Sequence, residues 1–146
     1  MTTGRPARVW DAGLSQWVEI VGLPGADGPE AQQIIPFGRY GVLTASTGKE
    51  RFRFPFAATI LGVSASIDTA PTGADVVFDV NKNGTTIFTT QANRPRITFG
   101  TNACAEVTAI DVTAFAIGDY LTVDVDQVGS TIPGSDTAVF IRYRKV

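Results

Sequence analysis

The chain has 146 residues, of which 44% are apolar and 18% charged, a composition that supports one folded core and excludes disorder throughout. Its net charge of −2 and pI near 5.0 provide no electrostatic pull toward nucleic acid or an anionic membrane surface. No run is long enough to span a bilayer and the first residues lack an apolar signal segment, so folding in a cytoplasm is expected.

The first zone contains two short β-prone runs, Ala7-Arg-Val-Trp-Asp11 and Gln16-Trp-Val-Glu-Ile20, around a glycine-bearing turn, which reads as a hairpin. Both tryptophans of the chain, Trp10 and Trp17, fall here, flanked by Val9 and Ile20. A lone two-stranded hairpin buries too little to hold in water, so these four residues are expected to pack on another surface. That surface is either the protein's own body or a partner.

The second zone, Gly22-Leu-Pro-Gly-Ala-Asp-Gly-Pro-Glu30, places glycine at 22, 25 and 28. Glycine at every third position is the collagen pattern, because only glycine fits at the axis of three wound chains. Three triplets are too few to hold a triple helix alone. The segment therefore reads either as a trimer junction or as a glycine- and proline-rich linker.

From about residue 31 onward the chain is rich in threonine, valine, isoleucine and phenylalanine, with turn signals every 8–12 residues, as in a sandwich or barrel. Strands are expected at Tyr40–Thr44, Glu50–Phe54, Thr59–Ile67, Asp75–Lys82, Thr85–Gln91, Arg96–Phe99, Cys104–Val112, Tyr120–Val128 and Thr137–Lys145. Asn83-Gly84 is a strong type I′ hairpin signal. Leu121, Val123 and Val125 alternate with Thr122, Asp124 and Asp126, and Val76, Phe78 and Val80 alternate with Asp75, Val77, Asp79 and Asn81. One face of each strand is expected to be inward. The fold class is all-β, an antiparallel, jelly-roll-like sandwich over 31–146 behind an N-terminal arm over 1–30.

Chemistry finds few footholds. With no histidine the commonest general base and metal ligand is missing. Cys104, between alanines on an expected strand, reads as a small core residue. Asp79, Asp124 and Asp126 supply hard oxygens of the kind calcium takes, yet their spacing follows no calcium-loop pattern and reads rather as a polar, water-facing strand. No catalytic, metal or cofactor site is expected. Loop residues Asn93, Arg94, Asp119, Tyr120, Ser130 and Asp136 serve turn chemistry or contact a glycan. The run Arg142-Tyr143-Arg144-Lys145 reads as a solvated strand face.

Together, Val9-Trp-Asp, Trp17-Val-Glu-Ile-Val-Gly22 and the triplets that follow resemble the N-terminal arms of minor tail proteins of siphophages infecting actinobacteria. The body, through Pro71–Gly84, Thr86–Pro95 and Gly118–Gly129, resembles the β-sandwich at the end of such tail and fibre proteins. Phe115-Ala-Ile-Gly-Asp-Tyr-Leu-Thr-Val is also similar to a segment of trimeric jelly-rolls of the tumour-necrosis-factor and complement type. The resemblance implies a homotrimeric, non-enzymatic virion protein assembled in the host cytoplasm. Its implied partners are other copies, other virion proteins and a host-surface glycan touched by Asn93, Arg94 and Tyr120, with neither nucleic acid nor membrane insertion. Small β-sandwich trimers also decorate capsids, so a head position stands as the alternative.

Overall fold

A computed structural model describes residues 31–146 in full and, ahead of them, Gly13 and the backbone of 8–11 and 16–19. The chain divides into two units, Met1–Ala31 and Gln32–Val146. In the first unit, β1 (Arg8–Asp11) and β2 (Gln16–Glu19) pair antiparallel, with Val9 opposite Val18 and Trp10 opposite Trp17. The expected hairpin is therefore present. Ile20, Gly22, Gly25 and Gly28 lie outside the described residues.

The second unit holds ten strands: β3 (Gln32–Val42), β4 (Phe52–Arg53), β5 (Ala58–Thr69), β6 (Val76–Lys82), β7 (Thr85–Thr86), β8 (Arg96–Ile97), β9 (Ala103–Val107), β10 (Ala114–Phe115), β11 (Tyr120–Gln127) and β12 (Ser135–Lys145). In one sheet β12 lies between β3 and β5, and the far edge of β5 is shared by β9 and β10. In the other, β11 lies between β4 and β6, and the far edge of β6 is shared by β7 and β8. With each shared edge counted as one strand, first pairs with last, second with second-last, and so inward, always antiparallel. That wiring is a jelly roll, one long hairpin rolled into two facing sheets.

The core follows from period-two alternation. Leu121, Val123 and Val125 of β11 and Val76, Phe78 and Val80 of β6 face Val139, Ile141 and Tyr143 of β12 and Val63, Ala65 and Ile67 of β5. Burial of these apolar side chains stabilises the body at roughly 25 cal/mol per Å² of apolar area removed from water. One end is sealed by aromatic rings: Phe54 meets Phe115 at 5.0 Å and Tyr143 at 5.5 Å between centroids, the latter edge to face. At the β6–β7 corner Asn83 and Gly84 take φ of 52° and 85°, the left-handed pair that a type I′ turn requires.

Strand bounds differ from the sequence reading in instructive places. Pairing with β12 extends β3 back to Gln32, whereas Pro36, Gly38 and Gly41 mask it in the sequence. β7 stops at Thr86, after which Ile87 and Phe88 turn into the core. β9 stops at Val107, and β10 forms where no strand was expected. On β6 both faces are covered, since Val77, Asp79 and Asn81 are buried along with Val76, Phe78 and Val80. A water-facing polar strand is thus the wrong description of Asp79.

Candidate functional site

The residues singled out for chemistry gather on the outer face of the β4–β11–β6 sheet. Asp124 stands directly across from Asp79, as two strands of matching alternation dictate. Each carboxylate nevertheless has its own donors. Asp124 accepts from the Gly48 N–H at 2.6 Å and from Asn81 Nδ2 at 2.9 Å. Asp79 accepts from the Thr86 hydroxyl at 2.6 Å. Asp126 is paired with the Arg94 guanidinium. Among the described residues no group of three acidic, cysteine or histidine side chains is arranged to hold a metal ion. Asp124 and Asp126 tie loops to β11, and Asp79 ties β6 to β7.

Electrostatics agrees with that reading. Burial pushes the Asp79 carboxyl above its ordinary 3.8, opposed by the Thr86 hydrogen bond and reinforced by the negative charge of Asp126. Asp119 moves the other way, to about 2, held down by hydrogen bonds from Asn83 and the Ala116 N–H and by Lys82. Cys104 is half-buried against the core with its thiol pushed up by desolvation, so it is a poor nucleophile.

The three loop residues expected to touch a glycan do not come together. Asn93 and Arg94 sit at the end of a 3-10 turn, Gln91–Asn93, and Arg94 reaches Asp126 near the end of β11. Tyr120 opens β11 six residues earlier, about 20 Å away at strand rise. There Arg51 and Arg53 lie 4.7 Å and 5.8 Å from its ring centre.

The most conspicuous exposed features were not singled out in the sequence. On the edge strand β3, Ile34 is 61% exposed, Tyr40 95% and Val42 70%. Pro36 is exposed beside them, and half-buried Phe140 stands across from it on β12. Ile35 and Phe37 point into the core, so β3 is apolar on both faces. The signal was legible in Ile34-Ile-Pro-Phe, had that stretch been read as strand. Arg142 and Glu106 bound the face with a two-pronged ion pair at 2.7 Å laid over Gly62. An open cleft of about 210 Å³, lined by Arg39, Ser46, Thr47, Lys49 and Glu50, is smaller than the ~300–1,000 Å³ pockets that enclose small ligands.

No family model matches the chain, and no curated protein matches it. A solved structure described as the cyanophage Pam1 capsid asymmetric unit is similar over 86% of this chain and 93% of its own, at 15% identity and a TM-score of 0.47. At that identity and superposition the likeness carries no function from one protein to the other.

Proposed function

We propose that this protein is a structural component of a bacteriophage virion: a small, tail-associated homotrimer whose N-terminal arm docks on the particle while the jelly roll projects outward. The observation that carries the reading is the division of the chain into a two-stranded arm unit and a body with its own complete core. A hairpin of two four-residue strands is too small to be stable alone, so the arm has a use where another surface receives it. Trp10, Trp17, Val9 and Ile20 are the residues proposed to make that contact, with Gly22, Gly25 and Gly28 at the junction of three chains. The resemblance of Val9-Trp-Asp and Trp17-Val-Glu-Ile to siphophage tail arms supports the tail position.

The body supports a structural role on its own terms. Asp79, Asp119, Asp124 and Asp126 are bonded within the body, and the exposed apolar strip of β3 suits contact with other copies or other virion proteins. A capsid-decoration role is the second reading, favoured by the short linker, which leaves no room for a long shaft. Contact with a host glycan through Asn93, Arg94 and Tyr120 would use two separate footholds. Deleting residues 1–21 is expected to leave a folded, soluble protein that no longer enters particles. Normal incorporation of the truncated protein would overturn the docking role, and labelled antibody on intact particles separates tail from head.

A further inference from the structure

The geometry points to a second binding surface: the free edge of β4 takes an extended acidic peptide segment of a partner protein by strand addition, its carboxylates seated on Arg51 and Arg53. The inference concerns the body alone, so it stands or falls separately from the virion role.

Charge comes first. Between Gly48 and Pro55 the chain alternates Lys49, Arg51 and Arg53 with Glu50, Phe52 and Phe54. Phe54 is buried in the aromatic end of the core and Phe52 packs against it, which leaves the three cations exposed. Elsewhere Arg39, Lys82, Arg94, Arg96 and Arg142 each meet a carboxylate. Among the described residues, Lys49, Arg51 and Arg53 meet none. Arg51 and Arg53 are held instead by the Tyr120 ring, and Arg53 also donates to the Gly118 carbonyl at 2.7 Å. Two guanidinium groups are thereby kept at one ring without a carboxylate partner. An arriving carboxylate supplies that partner and gains charge-assisted hydrogen bonds.

The backbone supplies the second observation. The Phe54 N–H donates to the Asp119 carbonyl, and the Phe54 carbonyl accepts from the Gly118 N–H, both at 2.8 Å. Both Phe54 groups therefore face β11. In an antiparallel ladder this turns the Arg53 N–H and carbonyl to the opposite side. That side is the end of the sheet, where no described strand pairs with β4. An added strand carries same-face side chains about 7 Å apart, the spacing that two residues such as Arg51 and Arg53 take along an extended chain. Glutamates at alternate positions thus fall in step with Arg51 and Arg53. The cleft of about 210 Å³ between Arg39, Thr47 and Lys49 lies next along the chain and has room for a peptide side chain. A polyuronate or a nucleic acid brings negative charge but no amide ladder, which favours peptide.

The test is fluorescence anisotropy on the full chain, with a labelled synthetic peptide that alternates glutamate and threonine. Its controls are a peptide of the same composition with the glutamates in one block, and the alternating peptide N-methylated at every second amide. The alternating peptide is expected to bind at least about tenfold more tightly than either control, and Arg51→Gln with Arg53→Gln to lose about tenfold, the scale of one or two charge-assisted hydrogen bonds. Lys145→Gln, on the other sheet, is expected to bind as the parent does. Equal binding of the three peptides would overturn the proposal. So would unchanged affinity in a double variant that melts like the parent, or tighter binding of polygalacturonate or duplex DNA than of the alternating peptide. If the double variant does not fold, the N-methylated peptide still decides the matter on the unaltered protein.

Discussion

Gly48 and Gly62 show how a single missing β-carbon serves two different purposes. At Gly48 the β3–β4 connection lies so close on β11 that an added methyl would come 2.2 Å from the Val123 carbonyl oxygen. Backbone cannot step aside. Gly48→Ala is expected to cost roughly 1–3 kcal/mol in chemical denaturation, the range for overpacking against a fixed neighbour, and to break the Gly48 N–H to Asp124 bond. At Gly62 the added methyl meets the Glu106 side chain at 2.4 Å, which can swing away from Arg142 into water. The same substitution there is expected to lose much less stability in the same titration. Equal losses would mean that the two contacts are wrongly ranked.

Two carboxylates give opposite pH signatures. Asp79 has a raised folded pKa, so the folded state holds its proton more tightly than the unfolded chain. Its burial therefore disfavours folding above that pKa, and the handicap lifts as pH falls toward 3.8 and below. Asp79→Asn keeps an acceptor for Thr86 and is expected to melt higher than the parent at pH 7, with the gap closing near pH 4. Asp119 is held down at about 2, so its stabilisation is complete above 3.8 and is lost as pH falls from about 4 to about 2. Asp119→Asn is expected to remove part of that acid loss in melts across the same interval.

Among the elements, β11 was the most legible, because Leu121, Val123 and Val125 alternate cleanly with polar residues and the strand is buried on one side by a facing sheet. The Asn83-Gly84 corner was equally plain, since few residue pairs accept positive φ at both positions. β3 was not, because proline and two glycines depress local strand propensity and only the long pairing with β12 overrides it. Nor was the closure of the sandwich end by Phe52, Phe54, Phe56, Phe115 and Tyr143, which come from three distant stretches. Phe54 lies at the centre of that cluster and is fully buried. Phe54→Ala is expected to cost about 3–5 kcal/mol in equilibrium unfolding; a loss below 1 kcal/mol would show that the cluster is not a unit.

At the scale of the molecule, the core is assembled from strands far apart in the chain, and every strand of the jelly roll belongs to the unit beginning at Gln32. Removing residues 1–31 is therefore expected to leave the thermal midpoint within roughly 2 °C of the parent, while the proposed docking role of the arm predicts that the same truncation abolishes particle incorporation. A large drop in the midpoint would instead make the arm part of the body's own fold.

The amino-acid sequence by itself determined the class of structure. Period-two alternation, β-branched residues and regularly spaced turns admit little but an antiparallel sandwich, and the absence of histidine leaves few routes to catalysis. Only the tertiary structure decided what each polar residue does, because a carboxylate's role depends on the donors that distant strands bring to it. Asp79 became a tie between β6 and β7, Asp124 and Asp126 ties between β11 and loops, Asn93 and Arg94 parted from Tyr120, and the cations of Arg51 and Arg53 were left without a carboxylate. Alternation is local and can be read along the chain; pairing is not, and it is set by which strands the roll places side by side.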